Sequence, residues 1–363
     1  MGKHIYSFSP GPAVLPKPAI LEAQRDLLSL PGTGISILEI SHRAKAFDKI
    51  INQAEANLRT LLTIPDNYRV LFMQGGALLQ FGMAPMNLLG GRSADYIVSG
   101  TWSKKALDEA KTVGAVRTVW DGKSGNFNRV PKQNELQLDP NAAYVYLASN
   151  ETIQGVQYPD PTALDFGGVP IVCDSSSDIL CRPIPVEKYG LIFACAQKNV
   201  GPAGVTIVII RDDLVARSPT LPSLVNYKVF AEGKSLLNTP PTFGIYMVKL
   251  VTDWLLNEIG GLEKMAEINR RKAAMLYDAI DLSEGFYLPH AETDCRSMMN
   301  VPFRLANAVQ DEPFLAQAAE RGLVELKGHR SVGGCRASIY NAMPVEGVTL
   351  LRDFMIEFSE KNR

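Results

Sequence analysis

Residues 191–204 read LIFACAQKNVGPAG. An apolar run ends in Gln197, Lys198 and Asn199, a Gly-Pro-Ala-Gly turn follows, and a second apolar run over residues 205–210 begins at once. A lysine at the junction of two buried-looking segments has two readings. It ends a strand and points into water, as most lysines do, or it is partly desolvated and serves as a nucleophile.

Similar apolar runs lie at residues 68–73, 94–99, 143–148 and 169–173, separated by turn residues and helix-like stretches. With 191–196 and 205–210 they suit strands buried on both faces, in a sheet covered by helices. The predicted fold class is α/β. After Pro240-Pro241 the character changes. Residues 242–258 and 262–280 read as two helices split by Gly260-Gly261, the second with Leu262, Met265, Ala273, Leu276 and Ile280 on one side. Residues 298–304 and 335–339 read as strands, and 312–322 and 347–361 as helices. The expected organisation is a large domain over 14–261, built on a mixed, mostly parallel sheet, and a smaller α+β C-terminal domain over 262–363. Residues 1–13 have two readings, packing with the smaller domain or with the larger one.

The 363 residues carry 37 basic and 38 acidic side chains with no long run of either sign. That argues against a protein of nucleic acids or membrane surfaces, which would show a basic patch or tail. No stretch approaches the roughly 18 consecutive apolar residues of a membrane span. The opening MGKHIYSFSPGPAVLP lacks the apolar core of a signal peptide, and Tyr6 breaks the myristoylation pattern. Cys173, Cys181, Cys195, Cys295 and Cys335 form no CxxC pair and read as reduced thiols of a cytoplasmic protein. The four histidines lack metal-ligand spacing, so no metal is expected.

In open α/β sheets, ligands gather at the carboxyl ends of the strands. The run 68–73 ends in Gln74-Gly75-Gly76-Ala77, which is a tight turn or a phosphate cradle at a helix N-terminus. The run 94–99 ends in Gly100-Thr101-Trp102, where the tryptophan is core or stacks on a planar ring. Ser149-Asn150-Glu151-Thr152 after the third run suits capping or the orienting of hydrogen bonds. Asp174 after the fourth is an N-cap or a carboxylate that wants a cation. Gln197 and Lys198 close the fifth. One ligand uses all five ends: a planar ring carrying a phosphate, a basic nitrogen and an aldehyde, which describes pyridoxal 5′-phosphate (PLP). The glycine turn takes the phosphate, Trp102 the ring face, Asp174 the protonated nitrogen and Lys198 the aldehyde.

The motifs SHR (41–43), QGGALLQF (74–81), SGTW (99–102), SNETIQG (149–155), AQKNVGPAG (196–204), NTPPTF (238–243), KGHR (327–330) and GGCRASIYNAMP (333–344) follow one another along the chain. Through them, and over essentially its whole length, the sequence resembles the phosphoserine aminotransferases of the class-V PLP-dependent family. The resemblance implies the fold-type-I PLP architecture and a homodimer with active sites at the subunit interface. It implies amino-group exchange between L-glutamate and 3-phosphohydroxypyruvate, giving O-phospho-L-serine. It places Gly76 and Ala77 at the cofactor phosphate, Trp102 on the ring, and Thr152, Asp174 and Gln197 at further cofactor contacts. Lys198 is the Schiff-base lysine, and Asn238 and Thr239 reach the phosphate from the neighbouring subunit. Lys198 and Asp174 are the expected catalytic residues. For the substrate, Arg336 is expected at the α-carboxylate, which a guanidinium binds bidentately. His42, Arg43, His329 and Arg330 are expected around the distal γ-carboxylate or phosphate. Leu78 departs from relatives with a small or positively charged residue there, and Ala46 from a common glutamate. Rival readings are a glyoxylate aminotransferase, a cysteine desulfurase using Cys295, and a non-catalytic nucleotide-binding or regulatory α/β protein; the intact Lys198 and Asp174 count against the last.

Overall fold

A computed structural model of the chain describes residues 4–363. Seven strands form the main sheet: β1 Tyr68–Met73, β2 Ala94–Val98, β3 Val116–Asp121, β4 Val145–Ala148, β5 Ile171–Asp174, β6 Leu191–Cys195 and β7 Thr206–Arg211. Their order is β1-β7-β6-β5-β4-β2-β3. Only β7 runs against its neighbours, so the carboxyl ends of the other six share one edge. The α/β class and the mixed, mostly parallel sheet expected from the apolar runs are both present.

Side chains alternate between the faces with the period of two that a strand imposes. Leu147, Cys173, Ile192, Ala194 and Ile207 enter one core, shared with Phe47, Leu58 and Val248. Tyr146, Val172, Leu191, Phe193 and Val208 enter the other, shared with Phe81, Ala106 and Leu107. Each fully buried Val, Leu, Ile or Phe contributes roughly 1.5–3 kcal/mol, which is why both faces must be covered. The helices that cover them are α1 Lys17–Asp26, α2 Lys45–Leu62, α3 Gly76–Leu88, α4 Thr101–Lys111 and α5 Thr242–Trp254. α2 shows how: Phe47, Ile50, Ile51, Ala54, Leu58, Leu61 and Leu62 recur at helical spacing and are all buried.

Strand β3 has no counterpart in the sequence reading. Its VRTVWD carries Arg117 and Asp121, and only Val119 in it is buried. As the last strand of the sheet it needs no continuous apolar run. Strand β5 begins two residues later than its apolar run, so Asp174 is its last paired residue, in register with Ala148 and Phe193.

Beyond α5, a π turn over Leu255–Ile259 ends at Gly260 (φ 87°) and Gly261 (φ 96°), and α6 Leu262–Asp281 follows. Strands β8 Tyr287–Pro289, β9 Asn300–Leu305 and β10 Cys335–Ser338 form a second, antiparallel sheet in that order. With α6, α7 Asp311–Glu320 and α8 Val345–Asn362 it encloses an aromatic cluster of Tyr287, Phe303, Phe314, Phe354 and Phe358. Phe8, fully buried, joins that core, and Tyr6–Ser7 pairs in parallel with Leu323–Val324.

Candidate active site

The carboxyl edge of the main sheet opens into a cavity of about 680 Å³. Gly76, Ala77, Trp102, Thr152, Asp174, Gln197 and Lys198 line it from the strand ends, and His329, Arg330 and Arg336 from the second sheet and its loop. The chain is fixed on either side of Lys198. The Gln197 carbonyl accepts the Ala13 N–H at 2.9 Å. Buried Asn199 donates to the Ile179 carbonyl at 3.1 Å and accepts the Asn341 N–H at 2.9 Å. The Lys198 side chain reaches into the cavity, where Nζ donates to Thr152 Oγ1 at 2.7 Å and lies 5.7 Å from the centre of the Trp102 ring.

Asp174 is buried at the tip of β5, and its Oδ1 accepts the Ser176 N–H at 2.9 Å. Burial pushes its carboxyl pKa up; hydrogen bonds from Ser176 and the more distant charge of Lys198 oppose that shift. A carboxylate so placed calls for a cation against it.

Two helices start at this edge, and their first turns differ. The N-terminus of α4 is filled by Glu151, whose buried carboxylate accepts the Trp102 N–H at 2.9 Å, the Ser103 N–H at 2.8 Å and Ser103 Oγ at 2.6 Å. Burial raises the Glu151 pKa against those three bonds. Gln154 adds a two-way bond with Thr101, at 3.3 and 2.8 Å. Together they hold the turn that carries Trp102. The N-terminus of α3 has no side-chain cap. It opens on Gly75 (φ 87°) and Gly76 (φ 67°), a conformation that favours glycine, and a Cβ on Gly75 would lie 2.5 Å from Leu79. The Ala77 N–H meets only the Cys195 sulfur, at 3.0 Å. An uncapped helix start accommodates an anion through its free amides and dipole.

Arg336, 6 % exposed, has its Nε without a partner, and burial lowers its pKa. A buried guanidinium of this kind is completed by an anion. Beside it, His329 shares a 2.7 Å bond with Ser331 Oγ; burial first, then Arg336, Arg330 and Lys105, lower its pKa. The residues present thus fit PLP and an anionic substrate: an uncapped helix start for a phosphate, an aromatic face, a buried carboxylate lacking a bonded cation, and a lysine.

The remaining expected site residues lie outside this cavity. Asn238 and Thr239 are exposed, and Gln74 Nε2 donates to the Thr239 carbonyl at 3.4 Å, beside the start of α3. His42 and exposed Arg43 occupy the turn before α2, where the Arg43 N–H bonds Ser41 Oγ at 3.2 Å. Within one chain, then, the expected group of His42, Arg43, His329 and Arg330 is divided, and only the last two line the cavity. Cys295 is buried against Val156 and Ala291, so the exposed mobile thiol of a desulfurase is missing at that position. The sequence reading passed over Ser176, Cys195 and Lys105. Ser176 stands in the serine run after Asp174, two residues beyond the carboxylate it bonds; Cys195 and Lys105 gave no sign of their place.

The sequence pattern of the family described as Aminotransferase class-V matches residues 5–351. A phosphoserine aminotransferase of Desulfosudis oleivorans is 54% identical over 365 residues, covering 100% of both chains. One of Rhodopirellula baltica is 51% identical, over 99% of this chain and 96% of its own. The solved phosphoserine aminotransferase of Bacillus circulans subsp. alkalophilus superposes with a TM-score of 0.96 at 47% identity, covering 99% of each chain. A PLP-bound phosphoserine aminotransferase of Trichomonas vaginalis gives 0.91 at 39%, covering 97% of this chain and 99% of its own. The chain belongs to the class-V aminotransferase family.

Proposed function

We propose that the chain is a PLP-dependent phosphoserine aminotransferase. It moves an amino group reversibly between L-glutamate and 3-phosphohydroxypyruvate, giving 2-oxoglutarate and O-phospho-L-serine for serine biosynthesis. The observation that carries this reading is the meeting, in one cavity, of Lys198, Asp174, Trp102 and the uncapped start of α3. Gly76 and Ala77 hold the cofactor phosphate, Trp102 covers the ring, Thr152 and Gln197 flank it, and Asp174 keeps the proton on the ring nitrogen. When bound, PLP supplies an aldehyde that carries the amino group and a protonated ring that withdraws electrons from the substrate Cα. Lys198, oriented by Thr152 Oγ1, takes the proton from that carbon as general base. Arg336 grips the α-carboxylate, and His329 and Arg330 face the distal anion.

Two chains form a homodimer with active sites at the interface. The exposure of Arg43, Asn238 and Thr239 outside their own chain's cavity supports their serving the neighbouring site, and Leu28, Leu38 and Leu78, all more than half exposed, support a covered surface. Light scattering on the purified protein should give twice the chain mass, and a monomer at micromolar concentration would exclude shared sites. We take 14–261 as the PLP-binding domain and 262–363 as the small domain; the pairing of Tyr6–Ser7 with Leu323–Val324 supports packing of the first residues with the latter. No helix among the described residues is long and apolar enough to cross a membrane, and five buried free thiols suit a reducing cytoplasm.

Borohydride reduction followed by peptide mapping tests the site directly. The pyridoxyl group should appear on Lys198; attachment at another lysine, or none, would overturn the assignment.

A further inference from the structure

The charged lining of the cavity is lopsided. Lys105, Lys198, Arg330 and Arg336 face it with positive charge, and Asp174 is the one carboxylate among the lining residues. Asp174 and Lys198 belong to the cofactor and Arg336 to the α-carboxylate. Arg330 and Lys105 are left, with His329 between hydrogen-bond donor and acceptor roles. The distal group they meet is a monoanion in glutamate and close to a dianion in phosphoserine.

We infer that Lys105 is a specificity-determining residue of this site, a cation that favours the dianionic phosphorylated substrate over the monoanionic one. The inference rests on the amino-transfer reading above. Lys105 stands one helical turn after Trp102 on α4, so both project from the same side of the helix. Its Nζ lies 4.6 Å from the centre of the Trp102 ring. Its neighbours on that helix are neutralised: Lys104 pairs with Asp108 at 2.5 Å, and Lys111 approaches the same carboxylate at 3.8 Å. Among the described residues Lys105 has no such carboxylate partner, and it is exposed toward the cavity mouth. It is near enough to His329 to disfavour a positive charge on that ring, along with Arg330 and Arg336. Those groups therefore share one positive field, which an anion relieves. Two anchors hold Lys105 in it: the Glu151 carboxylate that fixes the first turn of α4, and the Trp102 face beneath its ammonium.

The magnitude follows from Coulomb's law. The interaction of one cation with a distal group is linear in that group's charge, so removing the cation costs a dianion twice the free energy it costs a monoanion. A loss of about 3-fold in kcat/KM for glutamate therefore implies a loss of about 10-fold for phosphoserine.

The test uses the PLP-loaded enzyme and its Lys105→Met and Lys105→Arg variants. Half-reactions with L-glutamate and with O-phospho-L-serine are followed by the cofactor's visible band, at low salt and at high salt. The Met variant should bind PLP normally and lose about 3-fold and about 10-fold respectively, the Arg variant should keep the preference, and high salt should narrow the gap. Equal losses on both substrates would show that Lys105 acts only through Trp102, and unchanged rates would show a solvated lysine; either result overturns the inference. A wild-type protein with no PLP band would instead overturn the amino-transfer reading on which it rests.

Discussion

Lys198 and Lys272 are both withdrawn from bulk water, and they meet opposite surroundings. Lys198 is half-buried at a strand end, gives one hydrogen bond to Thr152 and otherwise faces a cavity. Lys272 lies on the buried stripe of α6 with no exposed surface. Its Nζ donates to the carbonyls of Ile339 (3.0 Å), Tyr340 (2.7 Å), Asn341 (3.4 Å) and Met343 (3.2 Å). An ammonium has three hydrogens, so four fixed acceptors leave it nothing to offer a substrate. Lys272 instead staples the segment that follows Arg336 on β10. Asn341, in the middle of that segment, bonds Asn199, the residue after Lys198. A lysine becomes chemically available where its partners are few and its cavity open; saturated by carbonyls, it becomes a structural clasp. Here the clasp holds the frame in which the other works.

The largest expected effect removes the available amine. Lys198→Ala should lower transamination by more than about 10⁴-fold, or roughly 5 kcal/mol of transition-state stabilisation, because general base and cofactor attachment vanish together. Its melting temperature without PLP should stay near wild type. A variant that unfolds would mean that Lys198, too, is a clasp.

Lys272→Met should do the reverse. It leaves the buried carbonyls of Ile339, Asn341 and Met343 without their ammonium donor, while that of Tyr340 keeps the Met343 N–H at 3.0 Å, at a cost of about 3 kcal/mol in urea unfolding. Burial pushes the Lys272 pKa down to about 7. The folded value lies below the roughly 10.4 of an unfolded lysine, so between the two the unfolded state binds the extra proton and stability rises with pH. The penalty for the buried charge is fully present below pH 7 and is relieved toward pH 10, by up to about 4 kcal/mol. Since methionine does not titrate, the gap between wild type and variant should widen from pH 7 to pH 9. A constant gap would mean that the carbonyls hold the charged form throughout.

The same contrast marks what the sequence could and could not tell. Strands β4, β5, β6 and β7 were legible because both of their faces are buried, so apolar residues run almost unbroken between their ends, where Asp174, Thr206 and Arg211 stand; β3, with only Val119 buried, was not. The strand ends with Lys198, Asp174 and Trp102 were legible for a chemical reason, since polar residues after buried strands have few other uses. The clasp was not. Lys272 interrupts the apolar stripe of α6 and reads there as a solvated residue, because its partners are backbone carbonyls 67 to 71 positions away that any sequence would supply. Glu151 escaped similarly: it caps a helix that starts some 50 residues before it, whereas capping patterns are read over three or four. His42 and Arg43 were named with His329 and Arg330 because their motifs match, but a motif carries no information about which chain's cavity a residue enters.

The smallest effect addresses the one bond that Lys198 makes. Thr152→Val keeps the β-branched shape and removes Oγ1, the acceptor 2.7 Å from Nζ. One lost hydrogen bond is worth about 1 kcal/mol, so kcat should fall by roughly 5-fold. KM for glutamate should hold, because Thr152 orients the amine and the substrate carboxylates lie with Arg336 and its neighbours. If Lys198 is as free as its surroundings indicate, the amine finds its working position most of the time without Thr152. A fall beyond about 100-fold in kcat would mean that this single bond fixes Lys198 as firmly as four carbonyls fix Lys272. Availability would then come from the direction in which a lysine is held, not from how loosely.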